Sequence, residues 1–459
     1  MNFTEIKRYV DCQEDKYISW LFDILRIPSV STTSQCMSEC SQAVCDIIKQ
    51  AGLDAEIIEG YSAPAVYARH DEGAEATLFV YGHYDVQPQG ELEKWHSNPF
   101  EPVVKNGVIY ARGVADNKGQ FMAHIAACDA LNRSAGKIGC NLRILIEGGE
   151  EVGSPDLEKI FADHRDKFDA DAALTADALQ HSSGNPFILP GLKGGLSIEL
   201  SVKGARTECH SAMADIVPNP LWKIIHALSC IKTDDINIAI EGFYDDVRAL
   251  TDEDVKLLSI APNPIEELRK DLALGNFLPQ AESNFHIART MPTCNVSLIS
   301  DGNTSQSPRF SIPTSARAVL RMNLVPDQDP LDITNKLKAH MERHGFGDVT
   351  LKVLSATPPS MTDVRRPYVK YAAEIAAKAF GRTPLIYPRV VGSGPDYHFT
   401  RTLGLPSVWV PYAGADAETH APNENMAIKA YIEGIYYSSL FFSNFSSFAD
   451  KTRSAGEWI

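Results

Sequence analysis

Apolar and polar positions follow two different rhythms along the chain, and the first rhythm covers residues 1–190. Apolar runs at 76–85, 141–151 and 171–177 are rich enough in Val, Ile, Leu and Ala to predict buried strands. Between the first two runs, residues 118–131 carry apolar groups at helical spacing. Alternating strands and helices predict an open, doubly wound mixed sheet of the α/β class.

The rhythm changes near residue 190. Residues 194–205 alternate like a half-exposed strand, a helical pattern follows, and Pro, Asn and Gly in 260–310 predict long loops. Further strand, helix and strand patterns then complete an α+β unit of the split βαβ, or ferredoxin-like, kind. The first rhythm returns at LGLPSVWVPY (403–412). We therefore expect one domain in two segments interrupted by a smaller inserted domain, with these bounds: 1–190, 191–388 and 389–459.

Composition narrows the function classes without naming one. The 459 residues carry a net charge of −16 with the acids spread along the chain, which argues against a nucleic-acid partner. No apolar stretch is long enough to predict a membrane span or a signal core. Cys36, Cys40 and Cys45 are read as ordinary helix residues rather than as a thiolate zinc site, because the paired short spacings of such sites are missing. Reduced cysteines favour a cytoplasmic location.

Acidic motifs follow the predicted strands. They are GHYDVQP (82–88), YARGVADNKG (110–119) and ILIEGGEEVGS (144–154), with LTAD (174–177) and ETHAPNE (418–424) further on. Polar residues just past the carboxyl ends of strands face the ligand crevice of an open α/β sheet. A dinuclear hydrolytic metal site needs a bridging carboxylate, N or O ligands on either side and a free carboxylate as base. The motifs supply every one of these groups.

Each candidate also has a plainer interpretation. His83 and Asp85 share one strand face, so the carboxylate can fix the imidazole tautomer that binds metal, although an unrelated loop pair has the same spacing. Asp116 precedes a helix and, taken alone, is better interpreted as an N-cap, although a carboxylate at a strand-to-helix turn is also well placed to bridge two ions. Glu150 and Glu151 diverge from a strand end, so one can bind metal while the other faces water; both also suit a helix N-terminus.

Asp177 and His420 are weak candidates when each is taken alone, and only the whole set favours a metal site. Competing schemes lack their motifs: there is no G-x-S-x-G elbow and no phosphate-binding P-loop, and CHSAMA (209–214) fits no cysteine-nucleophile pattern. GLKGGL (191–196) is read as a hinge.

Taken together, the motifs resemble the dinuclear zinc metallopeptidase family of cytosolic non-specific dipeptidase, carnosinase, aminoacylase, acetylornithine deacetylase and succinyl-diaminopimelate desuccinylase. The resemblance runs from about residue 15 to 440. It implies two divalent ions, zinc foremost with manganese and cobalt as alternatives. The roles it implies are these: His83 and Asp177 on one ion, Glu151 and His420 on the other, Asp116 bridging, Asp85 supporting His83, and Glu150 as general base.

The resemblance also implies that the inserted domain is a lid that forms a homodimer. His210 in ECHSA matches a family histidine that reaches the partner subunit's site and stabilises the oxyanion, although Ala212 stands where the family has glycine. Gly392, Ser393 and Gly394 resemble a loop that holds the substrate carboxylate. Asn323 stands where many dipeptidases of the family have an arginine that binds the substrate's terminal carboxylate. Arg321, two residues earlier on the same strand face, is the candidate to replace that arginine.

Asp177 resembles the dipeptidases of the family, whose deacylases and carboxypeptidases usually carry Glu there. The sequence therefore predicts a hydrolase of amide bonds in small peptides, a dipeptidase first of all. The alternative is an N-acyl amino acid deacylase, a desuccinylase or a carboxypeptidase that uses the same site, with a small peptide or an acyl-amino acid as substrate. A catalytically silent binding protein on this fold is the remote one.

Overall fold

The computed structural model describes residues 3–233, 236–303, 310–389, 392 and 394–457. Its helices are α1 (Phe3–Cys12), α2 (Glu14–Leu25), α3 (Met37–Gln50), α4 (Lys118–Ala135), α5 (Leu157–Asp163), α6 (Pro220–Ile231), α7 (Asp252–Ile260), α8 (Ile265–Asp271), α9 (Pro279–Ser283), α10 (Phe285–Arg289), α11 (Pro330–Arg343), α12 (Pro367–Phe380) and α13 (Ile428–Ser454).

The strands are β1 (Asp54–Ile58), β2 (Ala65–His70), β3 (Thr77–His83), β4 (Val103–Lys105), β5 (Val108–Tyr110), β6 (Asn141–Glu147), β7 (Ala172–Thr175), β8 (Phe187–Ile188), β9 (Gly194–Lys203), β10 (Cys209–His210), β11 (Thr293–Ser300), β12 (Ser311–Ile312), β13 (Ser315–Leu324), β14 (Thr350–Thr357), β15 (Leu385–Ile386), β16 (Ser407–Trp409) and β17 (Asn425–Ala427).

The larger sheet has the strand order β1-β2-β6-β3-β7-β16. Strands β6, β3, β7 and β16 run parallel; at one edge β2 pairs antiparallel with β6, and β1 pairs antiparallel with β2. Side chains alternate between the two faces of each strand. Leu78 and Val80 of β3 accordingly belong to one hydrophobic core, with α3, α4, α12 and α13, while Phe79 and Tyr81 belong to a second core with α5. The predicted open, doubly wound mixed sheet is confirmed.

The smaller sheet is antiparallel, in the order β11-β13-β9-β14. Helix α6 follows β9 and helix α11 connects β13 to β14, which is the ferredoxin-like arrangement predicted for the insertion. Leu196, Ile198 and Leu200 of β9 pack against these two helices. The intervening positions of β9, Ser197 among them, therefore face the opposite side of the sheet. Ser197 lies opposite Arg321 of β13 on that side.

Between residues 260 and 310, where long loops were expected, the structure has the short helices α8, α9 and α10 and the strand β11. The division of the chain into 1–190, 191–388 and 389–459 stays a prediction. Helix α12 packs in the core of the larger sheet, which favours a return to the first unit before residue 367. In the described part of the chain, we find no helix with both the length and the apolar character needed to cross a membrane.

Candidate metal centre

The candidate ligands meet at one edge of the larger sheet. His83 is the last residue of β3, Glu150 and Glu151 follow β6 after two glycines, and Asp177 follows β7. Because these strands are parallel neighbours, their carboxyl ends lie side by side. Asp116 reaches the same edge from the loop before α4, and His420 from the loop before β17.

The ligand atoms form two sets that share Asp116. In the first set, His83 Nε2 lies 3.1 Å from Asp116 Oδ1 and 3.5 Å from Asp177 Oδ2. In the second, His420 Nε2 lies 2.9 Å from Asp116 Oδ2 and 3.2 Å from Glu151 Oε2. The atoms of each set lie within 4.8 Å of one another. One carboxylate that offers one oxygen to each set is the geometry of a bridging ligand.

The donor atoms fit two divalent cations. Each set combines one imidazole nitrogen with carboxylate oxygens, a mixture that suits zinc, manganese or cobalt. The Oε1 atom of Glu151 is buried and has no hydrogen-bond partner in the described part of the chain. A buried carboxylate oxygen without a partner is costly, and a cation at this position would remove that cost.

The pKa values of the two histidines show that bound cations would replace protons at this centre. Hydrogen bonds to Asp116 and Glu151 raise the pKa of His420 to about 10. Burial lowers the pKa of His83, but hydrogen bonds to Asp116 and to two further carboxylates outweigh burial and raise it well above its usual value. In the absence of metal, protons on the two imidazoles therefore balance part of the carboxylate charge. Metal ligation requires neutral imidazoles, so cations and protons compete for the same positions.

Asp85 lies behind the ligands and is fully buried. Nδ1 of His83 lies 3.3 Å from its Oδ1 atom and 3.1 Å from its backbone oxygen. The same carboxylate accepts the N–H groups of Glu150 and Glu151, at 3.2 and 3.1 Å. Asp85 therefore contacts both the imidazole of His83, as its spacing led us to expect, and the backbone that carries the two glutamates.

Glu150 lines a cavity of about 360 Å³ beside Glu151 and His420. Burial raises the pKa of Glu150 well above its usual value; the charge of His83 opposes this and the neighbouring carboxylates add to it. A carboxylate with a raised pKa suits a group that must take up a proton near neutral pH. Ser355 and Thr357 of the smaller sheet form part of the same cavity wall.

Arg321 also reaches this cavity from the smaller sheet. Its Nη1 atom donates to Ser197 Oγ at 3.2 Å, and its guanidinium lies over Gly195, where a Cβ would come within 2.7 Å of Nη2. In the part of the chain that the structure describes, no carboxylate pairs with Arg321. Asn323, by contrast, donates to Thr293 Oγ1 at 3.0 Å and is not part of the cavity wall.

Of the remaining predicted residues that the structure describes, Gly394 reaches this cavity, whereas His210 and Gly392 do not. His210 is exposed, accepts the Ala212 N–H at 3.1 Å and does not line the cavity of its own chain. Gly394 lines the cavity, and a Cβ there would come within 2.8 Å of Trp409. Gly392 is exposed, and Ser393 lies outside the described residues.

Three polar residues of the site were missed by sequence reasoning. Asn117 accepts the His83 N–H at 3.4 Å and donates to a backbone oxygen after β7 at 2.7 Å. Gln87 donates to Glu151 Oε2 at 2.8 Å, and Glu424 accepts the Asp116 N–H at 3.0 Å. All three stand inside the motifs quoted above, within four residues of a candidate ligand, and this closeness in sequence is the signal that could have pointed to them.

An α/β sheet with clustered His and carboxylate ligands at the carboxyl ends of its strands, joined to a ferredoxin-like insertion, defines a metal-dependent hydrolase. The model of peptidase family M20/M25/M40 matches residues 79–444 of this chain. The chain belongs to this family of metallopeptidases and is a hydrolase that acts on peptide bonds. The resemblance seen in the motifs is thereby confirmed.

Known relatives extend over nearly the whole chain. A Beta-Ala-His dipeptidase of Homo sapiens is 25% identical over 95% of this chain and 92% of its own length. A Cys-Gly metallodipeptidase of Saccharomyces cerevisiae is 21% identical over 97% and 98%. The crystal structure of an M20 family metallo-carboxypeptidase from Sulfolobus solfataricus superposes with a TM-score of 0.87, at 32% identity over 94% of this chain and 99% of that one.

Proposed function

We propose that this protein is a dipeptidase that cleaves the amide bond of small peptides with two divalent metal ions. The observation that carries the proposal is the sharing of Asp116 between two ligand sets, with Glu150, which belongs to neither set, in one cavity with Glu151 and His420 of the second set. His83 and Asp177 would hold one ion, and Glu151 and His420 the other. Zinc is the first candidate, with manganese and cobalt as alternatives.

Two bound divalent ions acidify water and polarise the scissile carbonyl. Within this scheme Glu150 is the general base: its carboxylate takes the proton of the attacking water and later passes that proton to the leaving amine. Burial beside other carboxylates supports this role, because it raises the pKa of Glu150 and therefore its affinity for a proton. Asp85 orients both His83 and the backbone of Glu150 through the contacts described above.

The substrate's terminal carboxylate is assigned to Arg321. A guanidinium binds a carboxylate through two parallel hydrogen bonds, and Arg321 has no carboxylate partner of its own in the described residues. The side chain of Asn323 is already bonded to Thr293, so it is the weaker candidate. The loop of Gly392, Ser393 and Gly394 is proposed to assist, and the position of Gly394 on the cavity wall supports this.

His210 is proposed to act in a homodimer, where it would reach the site of the partner subunit and stabilise the oxyanion. Its exposure supports an action outside its own chain. A cytoplasmic location is proposed as well, and it is supported by the nine cysteines, which are all free.

A carboxypeptidase is the second candidate, favoured by the likeness to the Sulfolobus solfataricus enzyme. The two activities share the metal centre and the free terminal carboxylate, and they differ in whether the substrate needs a free α-amine. The test is hydrolysis by the metal-loaded protein of free dipeptides, one of them β-alanyl, beside N-blocked peptides and matching N-acetyl and N-succinyl amino acids. Cleavage of free dipeptides alone supports the dipeptidase, and cleavage of the blocked compounds alone refutes it in favour of a carboxypeptidase or deacylase.

A further inference from the structure

Glu424 is a fully buried carboxylate that lies next to the metal centre without belonging to either ligand set. We propose that it is a positioning residue, which holds the backbone of Asp116 so that the two carboxylate oxygens of Asp116 reach both ligand sets. The inference rests on the proposed metal centre. It concerns how the chain builds that centre rather than which residues bind the ions.

Both oxygens of Glu424 are used by the loop that ends in Asp116. Oε2 accepts Arg112 Nη1 at 2.8 Å and the Gly113 N–H at 2.9 Å. Oε1 accepts the Ala115 N–H at 2.9 Å and the Asp116 N–H at 3.0 Å. All four partners are donors, so the position requires four acceptor sites and no donor. An ionised carboxylate has them, whereas an amide of the same shape would turn an NH₂ group against two of the donors.

The same contacts join loops that are distant in sequence. Glu424 comes four residues after His420, and the backbone oxygen of Glu424 accepts the Ala111 N–H at 3.2 Å. Asn425, the next residue, pairs with Tyr110 as β17 lies along β5. The loop that carries His420 and the loop that carries Asp116 are therefore tied at one point. Since these two residues belong to the second ligand set, a displacement at Glu424 changes the distance between their ligand atoms.

Arg112 makes the buried charge of Glu424 tolerable. It is as deeply buried as its partner, and its second terminal nitrogen donates to Pro88 O at 3.1 Å. The ring of Trp95 lies 5.4 Å from its guanidinium carbon. Because Arg112 neutralises Glu424 locally, this carboxylate stabilises the loop without competing with the ligand carboxylates for a cation. Arg112 also ties the loop to the motif that contains His83 and Asp85.

The test measures binding of Co²⁺ to metal-free protein, by titration and by the visible absorption of the bound ion, which reports coordination geometry. Glu424→Gln is expected to weaken Co²⁺ binding about 10- to 100-fold, the usual effect of losing a partner that orients metal ligands, and to change the absorption spectrum. Glu433→Gln is the matched control. Glu433 also pairs with an arginine, Arg382, at 2.7 Å, but it lies on α13 away from the ligand sets.

Each result decides something. Equal Co²⁺ affinity and spectra for wild type and Glu424→Gln would overturn the proposal, as would equal weakening in the Glu433→Gln control. If Glu424→Gln does not fold, as judged by circular dichroism, Glu424→Asp takes its place. That variant keeps the charge but is one methylene too short for both pairs of donors, so weaker binding is expected and wild-type binding refutes the proposal. If the wild-type protein does not bind two ions per chain, the proposed function itself is refuted.

Discussion

Replacing Arg321 by glutamine tests the assignment of the substrate's terminal carboxylate to this residue. The substitution keeps a polar side chain of similar length and removes the charge and the fork of donors. Arg321 lies on the cavity wall, is held by Ser197 at 3.2 Å, and has no carboxylate partner in the described residues. A hydrogen bond to a charged group contributes about 1.5–3 kcal/mol, so kcat/KM for a dipeptide should fall about 10- to 150-fold.

The assay compares two substrates with each protein: a dipeptide and the same dipeptide with its terminal carboxylate converted to an amide. The amide offers no charge to the guanidinium, so its kcat/KM should change little on the substitution Arg321→Gln. Arg317→Gln is the matched control. Arg317 lies four residues earlier on the same face of β13, and it pairs with Glu199 at 3.0 Å instead of facing the cavity.

Two results would refute the reasoning. An equal loss on dipeptide and amide would mean that Arg321 maintains the shape of the cavity and does not bind the carboxylate. An equal loss of kcat/KM in Arg317→Gln and Arg321→Gln would mean that the effect comes from the total charge of the sheet and not from Arg321 in particular. The four-way comparison isolates the interaction because only one combination contains both the guanidinium and the carboxylate.

Three further predictions concern the metal centre and its base. Glu150→Gln should keep both ions, measured as metal per chain, and lose nearly all turnover; wild-type-like rates would refute the base assignment. His210→Ala should cripple turnover, and mixing it with Glu150→Gln should restore some activity if sites are shared between subunits; no recovery would mean a self-contained protomer. Because the pKa of His420 is about 10, zinc added at pH 7 should release at least one proton per chain, read with a pH indicator, and affinity should rise with pH. No release would contradict this competition.

The clustering of the candidate ligands was predictable because their positions depend on short-range patterns. Apolar runs locate the ends of β3, β6 and β7; His83 is the last residue of β3, and Glu150, Glu151 and Asp177 follow the ends of β6 and β7. Parallel pairing then places these residues together without any knowledge of detailed packing. The ferredoxin-like insertion followed from the same kind of pattern.

The residues that were missed depend on contacts that no periodicity encodes. The hydrogen bond between Glu424 and the Asp116 N–H joins positions 308 residues apart. In the motif ETHAPNE, Glu424 resembles any loop glutamate, and only the folded chain shows that its two oxygens face four donors. Long-range backbone contacts of this kind can be recognised only in the folded chain, whereas the spacing of the candidate ligands can be recognised in the local sequence.

Arg321 shows how strand register decides which residue of the smaller sheet reaches the cavity. Residues 321 and 323 lie on the same face, so the strand pattern alone cannot choose between them. The pairing of β13 with β9 sets Arg321 opposite Ser197 and Asn323 opposite Gly195, and the missing side chain of Gly195 leaves room for the guanidinium. Filling that space with Gly195→Ala would displace Arg321 without changing its charge. In the proposed scheme, the carboxylate site would depend on Arg321, Ser197 and Gly195 of the smaller sheet, while the ions would be held at the edge of the larger sheet. Residues of both units line one cavity, so we expect substrate binding to need both units.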